Sequence, residues 1–389
     1  MNAFKEFCLA DWLLEGIKKQ HIKSPTEIQK RAIPQIIEGL DVIAQAPTGT
    51  GKTLAYLLPS LNRLSTHSKT LQMLILAPTR ELALQITEET KKMIDGQSLT
   101  LLAVYGGVDT QTQLKKLDKG IDIIVATPGR LIDHMKQGSI DLSKLKILIL
   151  DEADQMLLLG FKNEVEFILK NACKDRQLLC FSATLDRDVK KLAYRYMRSP
   201  VECQAVTETI TLENIEQKLI VTSDRWKTEA LLHSLEYTNP FLGVIFCRTI
   251  RRVDKLEFEL SQRGIGCEKL HGDLSQNVRQ RTMKAFREGK FQYLVTTDVA
   301  ARGLDISGVS HIYNYDLPET AEIYIHRIGR TGRMGGKGHA ISFISQKDEI
   351  ILTEIEKAIE MNLPRTPFER PEGFVDRSHR HHKDDKNTV

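Results

Sequence analysis

The sequence predicts an α/β protein of two tandem domains, each a mostly parallel sheet flanked by helices. Three observations lead there. The chain has 389 residues, 41% of them hydrophobic, which is more than one ordinary core accommodates and enough for two. Short runs rich in Ile, Val and Leu alternate with longer amphipathic stretches, and most runs end in polar or Gly-containing turns. Strands buried on both faces beneath crossover helices read this way. The runs also fall into two groups, one in each half of the chain.

Taken in order, the N-terminal MNAFKEFCLADWLLEGIKKQ carries Glu6, Asp11 and Glu15 within its apolar pattern, so it is expected to be an amphipathic helix and not a secretion signal. The expected strands are DVIAQAP, QMLILAP, IDIIVATP, KILILDEAD and QLLCFSAT in the first half, then GVIFCRT, GCEKLHGD, YLVTTD, HIYNYD and HAISFI in the second. Between them VTETITLEN lacks helical periodicity, which places a linker at 207–215 between a domain at 1–206 and another at 216–363. Residues 364–389 shift to Pro, Arg, Asp and His and are expected to form a basic tail without a core. In it the cluster His379, His381, His382 reads as solvated and not as a metal site.

No apolar run approaches the ~18 residues of a membrane span. Six cysteines are scattered with no C-x-x-C pair, which suits reduced thiols in the cytoplasm better than a zinc site or a disulfide framework. A formal net charge of +4 permits a nucleic-acid partner without requiring one.

Function begins at Ala46-Pro-Thr-Gly-Thr-Gly-Lys-Thr53, which follows an expected strand and opens an apolar helix. That is the context of a phosphate-binding loop. Gly49 and Gly51 let backbone N–H groups come close to phosphate, with Thr48 and Thr50 between them, while the helix N-terminus adds partial positive charge. Lys52 can reach the β- and γ-phosphates and Thr53 can hold Mg²⁺, so ATP or GTP is the expected ligand. Asp151-Glu-Ala-Asp154 ends the strand KILIL and places carboxylates near those phosphates if the strands are neighbours. Asp151 would then orient Mg²⁺ and Glu152 would polarise the attacking water. The second half has no such loop, so one nucleotide per chain is expected.

The succession AxTGTGKT, PTRELA, TPGR, DEAD, SAT, TDVAARGLD and HRIGRTGR, spread from about Phe4 to about Ile344, resembles the DEAD-box RNA helicases of superfamily 2. The resemblance implies two RecA-like domains. It implies ATP in preference to GTP, with Gln29 reading the adenine edge and Phe4 stacking on the base; His21-Ile22 stands where the family commonly has a Gly-aromatic pair. It gives Asp305 the ribose, makes Arg330 and Arg333 arginine fingers on the γ-phosphate, and places Gln276 with Arg279 near the domain junction. Asp154, Ser182, Thr184 and His326 take the part of coupling hydrolysis to strand separation.

RNA contacts are expected at turn-type segments after strands: Thr79 and Arg80, Gly106 and Gly107, Thr127 and Arg130, Arg248, and Thr297 through Arg302. Small residues and amides beside arginines suit phosphate and ribose, which hold a strand without reading its sequence. That the strand is RNA, single or in a short duplex, is implied by the resemblance, as are local, non-processive unwinding and proteins of ribonucleoprotein or degradosome type as partners. A monomer is the expected state. An ATP-gated RNA clamp would use the same residues, and a double-stranded DNA translocase is a further alternative disfavoured by the DEAD tetrapeptide and Gln29.

Overall fold

The computed structural model describes residues 3–47, 49–65, 70–107, 120–204, 215–301, 309–332 and 337–369. Two compact units have their main boundary between Asn214 and Ile215, and each is built on one seven-stranded sheet.

In the first unit the strands are β1 (Val42–Gln45), β2 (Met73–Leu76), β3 (Leu101–Val104), β4 (Ile123–Ala126), β5 (Ile147–Leu150), β6 (Gln177–Ser182) and β7 (Val201–Gln204). Their order is β3-β4-β2-β5-β6-β1-β7, and every pairing is parallel. Because successive side chains leave a strand on opposite faces, each apolar run feeds two cores. Val42, Ala44, Ile75, Val125, Ile149 and Phe181 face one helix layer, which includes Asp11–Lys19, Glu27–Ile37, Lys52–Asn62 and Arg80–Met93. Ile43, Leu74, Ile124, Leu148 and Cys180 face the other, which includes Pro128–Lys136, Lys162–Asn171 and Arg187–Tyr196. Burial on both sides is why these strands read as continuous apolar runs.

The N-terminus differs from the expected single helix. A 3-10 turn at Ala3–Phe7 is separated from the helix Asp11–Lys19 by Cys8, whose φ is 51°. The Ala10 N–H, at the entrance to that helix, donates to Asn62 Oδ1 at 2.8 Å, so a contact far along the chain fixes where the helix begins. Its end is a Schellman cap: the Ile22 N–H reaches the Ile17 carbonyl and the His21 N–H that of Lys18, with His21 at φ 58°. Glycine is favoured at such a position because a Cβ is strained there. His21→Gly is therefore expected to stabilise the protein by roughly 0.5–1 kcal/mol, read as a higher urea midpoint at constant m-value. A lower midpoint would mean that the imidazole makes contacts worth more than the strain.

In the second unit β8 (Ile215–Val221), β9 (Gly243–Phe246), β10 (Cys267–Leu270), β11 (Tyr293–Thr296), β12 (His311–Asn314), β13 (Gly338–Ile344) and β14 (Arg365–Pro367) run in the order β10-β11-β9-β12-β13-β8-β14, again all parallel. Both ends of this unit correct the expected boundaries. Ile215, taken as the last linker residue, is the first of β8, and the tail expected from residue 364 instead adds an edge strand. Backbone pairing anchors it, with the Leu219 N–H on the Pro364 carbonyl and the Phe368 N–H on that of Val221, both 2.9 Å. Phe368 then packs against the core beside the helix Lys227–Thr238. Residues 207–214 of the expected linker and the His379, His381, His382 cluster lie outside the described residues. No helix among the described residues is long and apolar enough to cross a membrane. The six cysteines are free thiols, and burial pushes the Cys180 thiol up to about 12.

Candidate nucleotide and nucleic-acid site

Parallel strands deliver all their following loops to one edge of the sheet, and in open α/β sheets that edge is where ligands bind. Along the carboxyl edge of the first sheet the strand order sets Gly106 and Gly107 after β3, Thr127 after β4, Thr79 and Arg80 after β2, Asp151 after β5, Ser182 and Thr184 at β6, and the Gly-rich loop after β1. Residues far apart in the chain thus form one row. The DEAD and SAT segments lie in the middle of it.

The loop after β1 is pinned at its start by the Ala46 N–H, which donates to the Ser182 carbonyl at 3.0 Å. Gly49 and Gly51 have φ of 82° and 88°, where a side chain is strained. A Cβ on Gly51 would also stand 2.5 Å from Gln29 Nε2, so only glycine lets the loop pass this close. Gln29 is buried; its Nε2 donates to the Gly51 carbonyl at 3.0 Å, and its Oε1 accepts from the Thr26 N–H at 2.9 Å in a capping box. One amide hydrogen and one lone pair are left for a ligand. Lys52, first residue of its helix, folds back so that Nζ donates to the Ala46 carbonyl at 2.8 Å. Its ammonium is held over the loop, with Thr53 beside it in the first turn of the helix.

Asp151 is buried and accepts from the Tyr56 hydroxyl at 2.8 Å and from the Glu152 N–H at 3.0 Å. Burial raises its pKa, while the charge of Lys52 and the Tyr56 hydrogen bond pull the other way. A carboxylate so desolvated gains from a cation, which fits a metal-holding role. Glu152 adopts φ 52° and ψ 52°, a left-handed conformation costing a non-glycine residue about 1 kcal/mol or more. Asp154 joins β5 to β6: its Oδ2 accepts from the Thr184 N–H at 3.0 Å and hydroxyl at 3.1 Å, while its own N–H donates to Ser182 Oγ at 3.2 Å. Three of the four residues expected to act together, Asp154, Ser182 and Thr184, are in contact.

Thr79 caps the helix Arg80–Met93 by accepting from the Leu82 N–H, leaving Arg80 at the row with its guanidinium 4.6 Å over the Tyr105 ring. Gly107 has φ 79°, and a Cβ there would come within 2.7 Å of Arg80 Nη1. Thr127 precedes Pro128 at the start of its helix, and Arg130 in the first turn is 3.9 Å from Asp133.

Comparison with known proteins bears directly on this geometry. The DEAD/DEAH box helicase family matches residues 26–192, and the Helicase conserved C-terminal domain matches 226–335. The chain is 41% identical over 365 residues to the DEAD-box ATP-dependent RNA helicase CshA of Bacillus cereus, covering 94% of this chain and 70% of that protein. The chain belongs to the DEAD-box helicase family. It is also 42% identical to the ATP-dependent RNA helicase CshA of Listeria monocytogenes, over 95% of this chain and 71% of the relative. Among solved structures it resembles Dbp5 of S. cerevisiae bound to RNA and ADP BeF3, with a TM-score of 0.84, 34% identity and coverage of 94% and 96%. Mss116p bound to ssRNA and AMP-PNP has the same TM-score at 30% identity, with coverage of 95% and 79%.

In the second unit of this DEAD-box chain, Arg248 follows β9, its N–H on Asp316 Oδ2 at 3.0 Å and its Nη2 on the Leu317 carbonyl at 3.2 Å. Thr297 follows β11 and is largely buried. His326 and Arg330 flank the end of the helix Ala321–Ile328, and Gln276 opens the helix Gln276–Arg287 with Arg279 in its first turn. Thr48, Arg302, Asp305 and Arg333 lie outside the described residues.

Phe4 is buried in the core, edge-on to Phe7 at 6.1 Å.

Two residues with site contacts escaped the sequence reading. Tyr56 is one turn beyond Lys52 on the same helix and would have been found from that i, i+4 spacing. Arg327, within HRIGR, is buried and holds Asp298 with Nε at 2.6 Å and Nη2 at 2.7 Å, while Nη1 donates to Asn314 Oδ1 and to the Asp316 carbonyl. Its plane also lies 4.8 Å over Phe246. Partners at or just beyond the ends of three different strands left no signal in the sequence.

Proposed function

We propose that this protein is an ATP-dependent RNA helicase that binds ATP and RNA cooperatively across its two units and opens short duplexes locally, without processive travel. The observation that carries the reading is the row along the first sheet: a phosphate loop at one end, arginine- and glycine-bearing turns at the other, and the Asp154, Ser182, Thr184 contact between them. A change at the phosphates has a hydrogen-bonded route toward the nucleic-acid turns.

In this reading Lys52 leaves the Ala46 carbonyl for the β- and γ-phosphates, Gly49 and Gly51 with Thr48 and Thr50 cradle them, and Gln29 uses its remaining donor and acceptor on the adenine edge. Asp305 takes the ribose. Thr53 and Asp151 would hold Mg²⁺, which when bound neutralises charge on the phosphate oxygens. Glu152 orients and polarises the attacking water, and Arg330 with Arg333 stabilises charge on the transferring phosphoryl group. Thr79, Arg80, Gly107, Thr127, Arg130, Arg248, Thr297 and Arg302 hold the RNA backbone, with 2′-hydroxyls favouring RNA over DNA. His326 joins Asp154, Ser182 and Thr184 in coupling. The protein acts as a cytoplasmic monomer, with ribonucleoprotein or degradosome-type proteins as its partners.

The test is the steady-state ATPase rate without nucleic acid, with single-stranded RNA and with DNA of the same sequence, together with unwinding of a short RNA duplex. RNA is expected to stimulate hydrolysis strongly and DNA little. Glu152→Gln is expected to retain ATP and RNA binding while turnover falls about 10²-fold or more. Equal stimulation by DNA would refute the substrate assignment, and normal turnover in Glu152→Gln would refute the assignment of the base.

A further inference from the structure

Lysine is almost never enclosed in a protein unless its charge is paired, and taking an ammonium out of water is costly even then. Lys227 is nevertheless 1% exposed, and no role assigned above uses it. It is the first residue of the helix Lys227–Thr238, which follows β8. Its Nζ lies 3.6 Å from Asp348 Oδ2, 3.7 Å from Asp224 Oδ1 and 3.8 Å from Asp316 Oδ1. Three carboxylates share one ammonium.

Strand order accounts for the convergence. β9, β12, β13 and β8 are successive neighbours in the second sheet. Arg248 follows β9, Asp316 follows β12, Asp348 follows β13 and Asp224 follows β8. All four stand on loops leaving the carboxyl edge, where parallel strands present their ligand-binding turns.

The three acids differ in what else they hold. Asp224 is exposed and also pairs with Lys347. Asp348 is buried, and its Oδ2 accepts from the Ser345 N–H at 2.8 Å and from the Ser345 hydroxyl at 2.7 Å, which ties it to the turn after β13. Asp316 is buried as well; its Oδ2 accepts from the Arg248 N–H at 3.0 Å and pairs with Arg252. This carboxylate therefore has Lys227 beside one oxygen and the backbone of a proposed RNA turn on the other. The Arg252 side chain is 37% exposed, so solvent screens its hold on Asp316. The attraction of the enclosed Lys227 is screened far less.

We propose that Lys227 is a positioning residue for RNA binding: by fixing the Asp316 carboxylate it holds the turn at Arg248 and Thr249 in the shape that grips RNA. Enclosed as it is, Lys227 does not touch RNA itself. The proposal rests on the assignment of Arg248 to the RNA backbone. None of the carboxylates around Lys227 is assigned to the nucleotide, so its loss acts on RNA affinity and not on phosphoryl transfer.

The test is ATPase activity of the full chain titrated with single-stranded RNA, for the wild type, Lys227→Met, Asp316→Asn, their double variant and Arg248→Ala. Methionine keeps an unbranched stem and removes the charge, and asparagine keeps an oxygen for the Arg248 N–H. Lys227→Met and Asp316→Asn are each expected to raise the half-saturating RNA concentration about threefold or more, with kcat at saturating RNA and the KM for ATP kept. The double variant should be no worse than the stronger single, because Lys227 acts through Asp316. A lysine that only stabilised the fold would do the reverse, since a smaller folded fraction lowers kcat and leaves half-saturation in place. That result, or a double variant whose effect is the product of the two singles, would overturn the proposal. Should Lys227→Met not fold, Asp316→Asn decides alone, and unchanged half-saturation in it overturns the proposal. Arg248→Ala separates the two levels. If it weakens RNA binding while the Lys227 and Asp316 variants do not, this proposal fails and the assignment of Arg248 stands; if it leaves RNA binding unchanged, that assignment falls and takes the proposal with it.

Discussion

Replacing Arg330 by alanine is expected to leave ATP affinity within about threefold and to lower RNA-stimulated turnover by about 10³ or more, the usual loss for an arginine finger. Arg330 follows the helix Ala321–Ile328, and its N–H donates to the Arg327 carbonyl at 3.1 Å. The buried Arg327 thus fixes the backbone from which the Arg330 side chain extends. In the proposed role its guanidinium acts on charge that spreads over the phosphoryl group during transfer, so its loss would be felt in the transition state more than in bound ATP. Arg330→Lys should recover little, because a single ammonium cannot reproduce the planar fork. The check is kcat at saturating RNA beside a direct nucleotide titration. If affinity fell by as much as turnover, Arg330 would be a ground-state contact instead.

Arg327→Ala is expected to act on stability, lowering that of the second unit by about 3–5 kcal/mol, the usual cost of breaking a buried ion pair from one side. The change strands Asp298, empties the space over Phe246 and leaves Asn314 Oδ1 and the Asp316 carbonyl each short of a donor. Since Asp298 directly follows Thr297, and Asp316 also forms an ion pair with Arg252 and accepts from the Arg248 N–H at 3.0 Å, the damage should reach two of the proposed RNA turns. Denaturant unfolding of the variant would show a second-unit transition shifted to lower concentration. A change below about 1 kcal/mol would mean that solvent already screens the pair.

These two arginines, three residues apart, also mark where reading the sequence succeeded and where it stopped. The role of Arg330 was inferred from the motif around it, whereas Arg327, in the same motif, received none because its partners lie on or just after β9, β11 and β12. The strands divide in the same way. Those buried on both faces, such as Ile147–Leu150 with every residue buried, were legible as apolar runs. β3, β7, β8 and β14 were not: β8 alternates buried and exposed residues over most of its length, β7 shows one buried residue in four, and β14 has none. An edge or half-exposed strand is held by backbone pairing, and the backbone is the same for every sequence.

For the candidate site, the sequence by itself determined which chemistry was present: a glycine-rich loop ending in Lys52 and Thr53, carboxylates at Asp151 and Glu152, and arginines after strands. Local residue type and spacing suffice for that, because each motif is a strand end followed by a turn. Only the tertiary structure decided the rest. Strand order set the DEAD and SAT segments between the phosphate loop and the Arg80 turn, core packing enclosed Phe4, and Gln29 was engaged by Thr26 and Gly51. Parallel pairing with crossovers brings together strand ends tens of residues apart, and that adjacency is decided by which sheet positions bury the most apolar surface, a property of the whole unit and of no single segment.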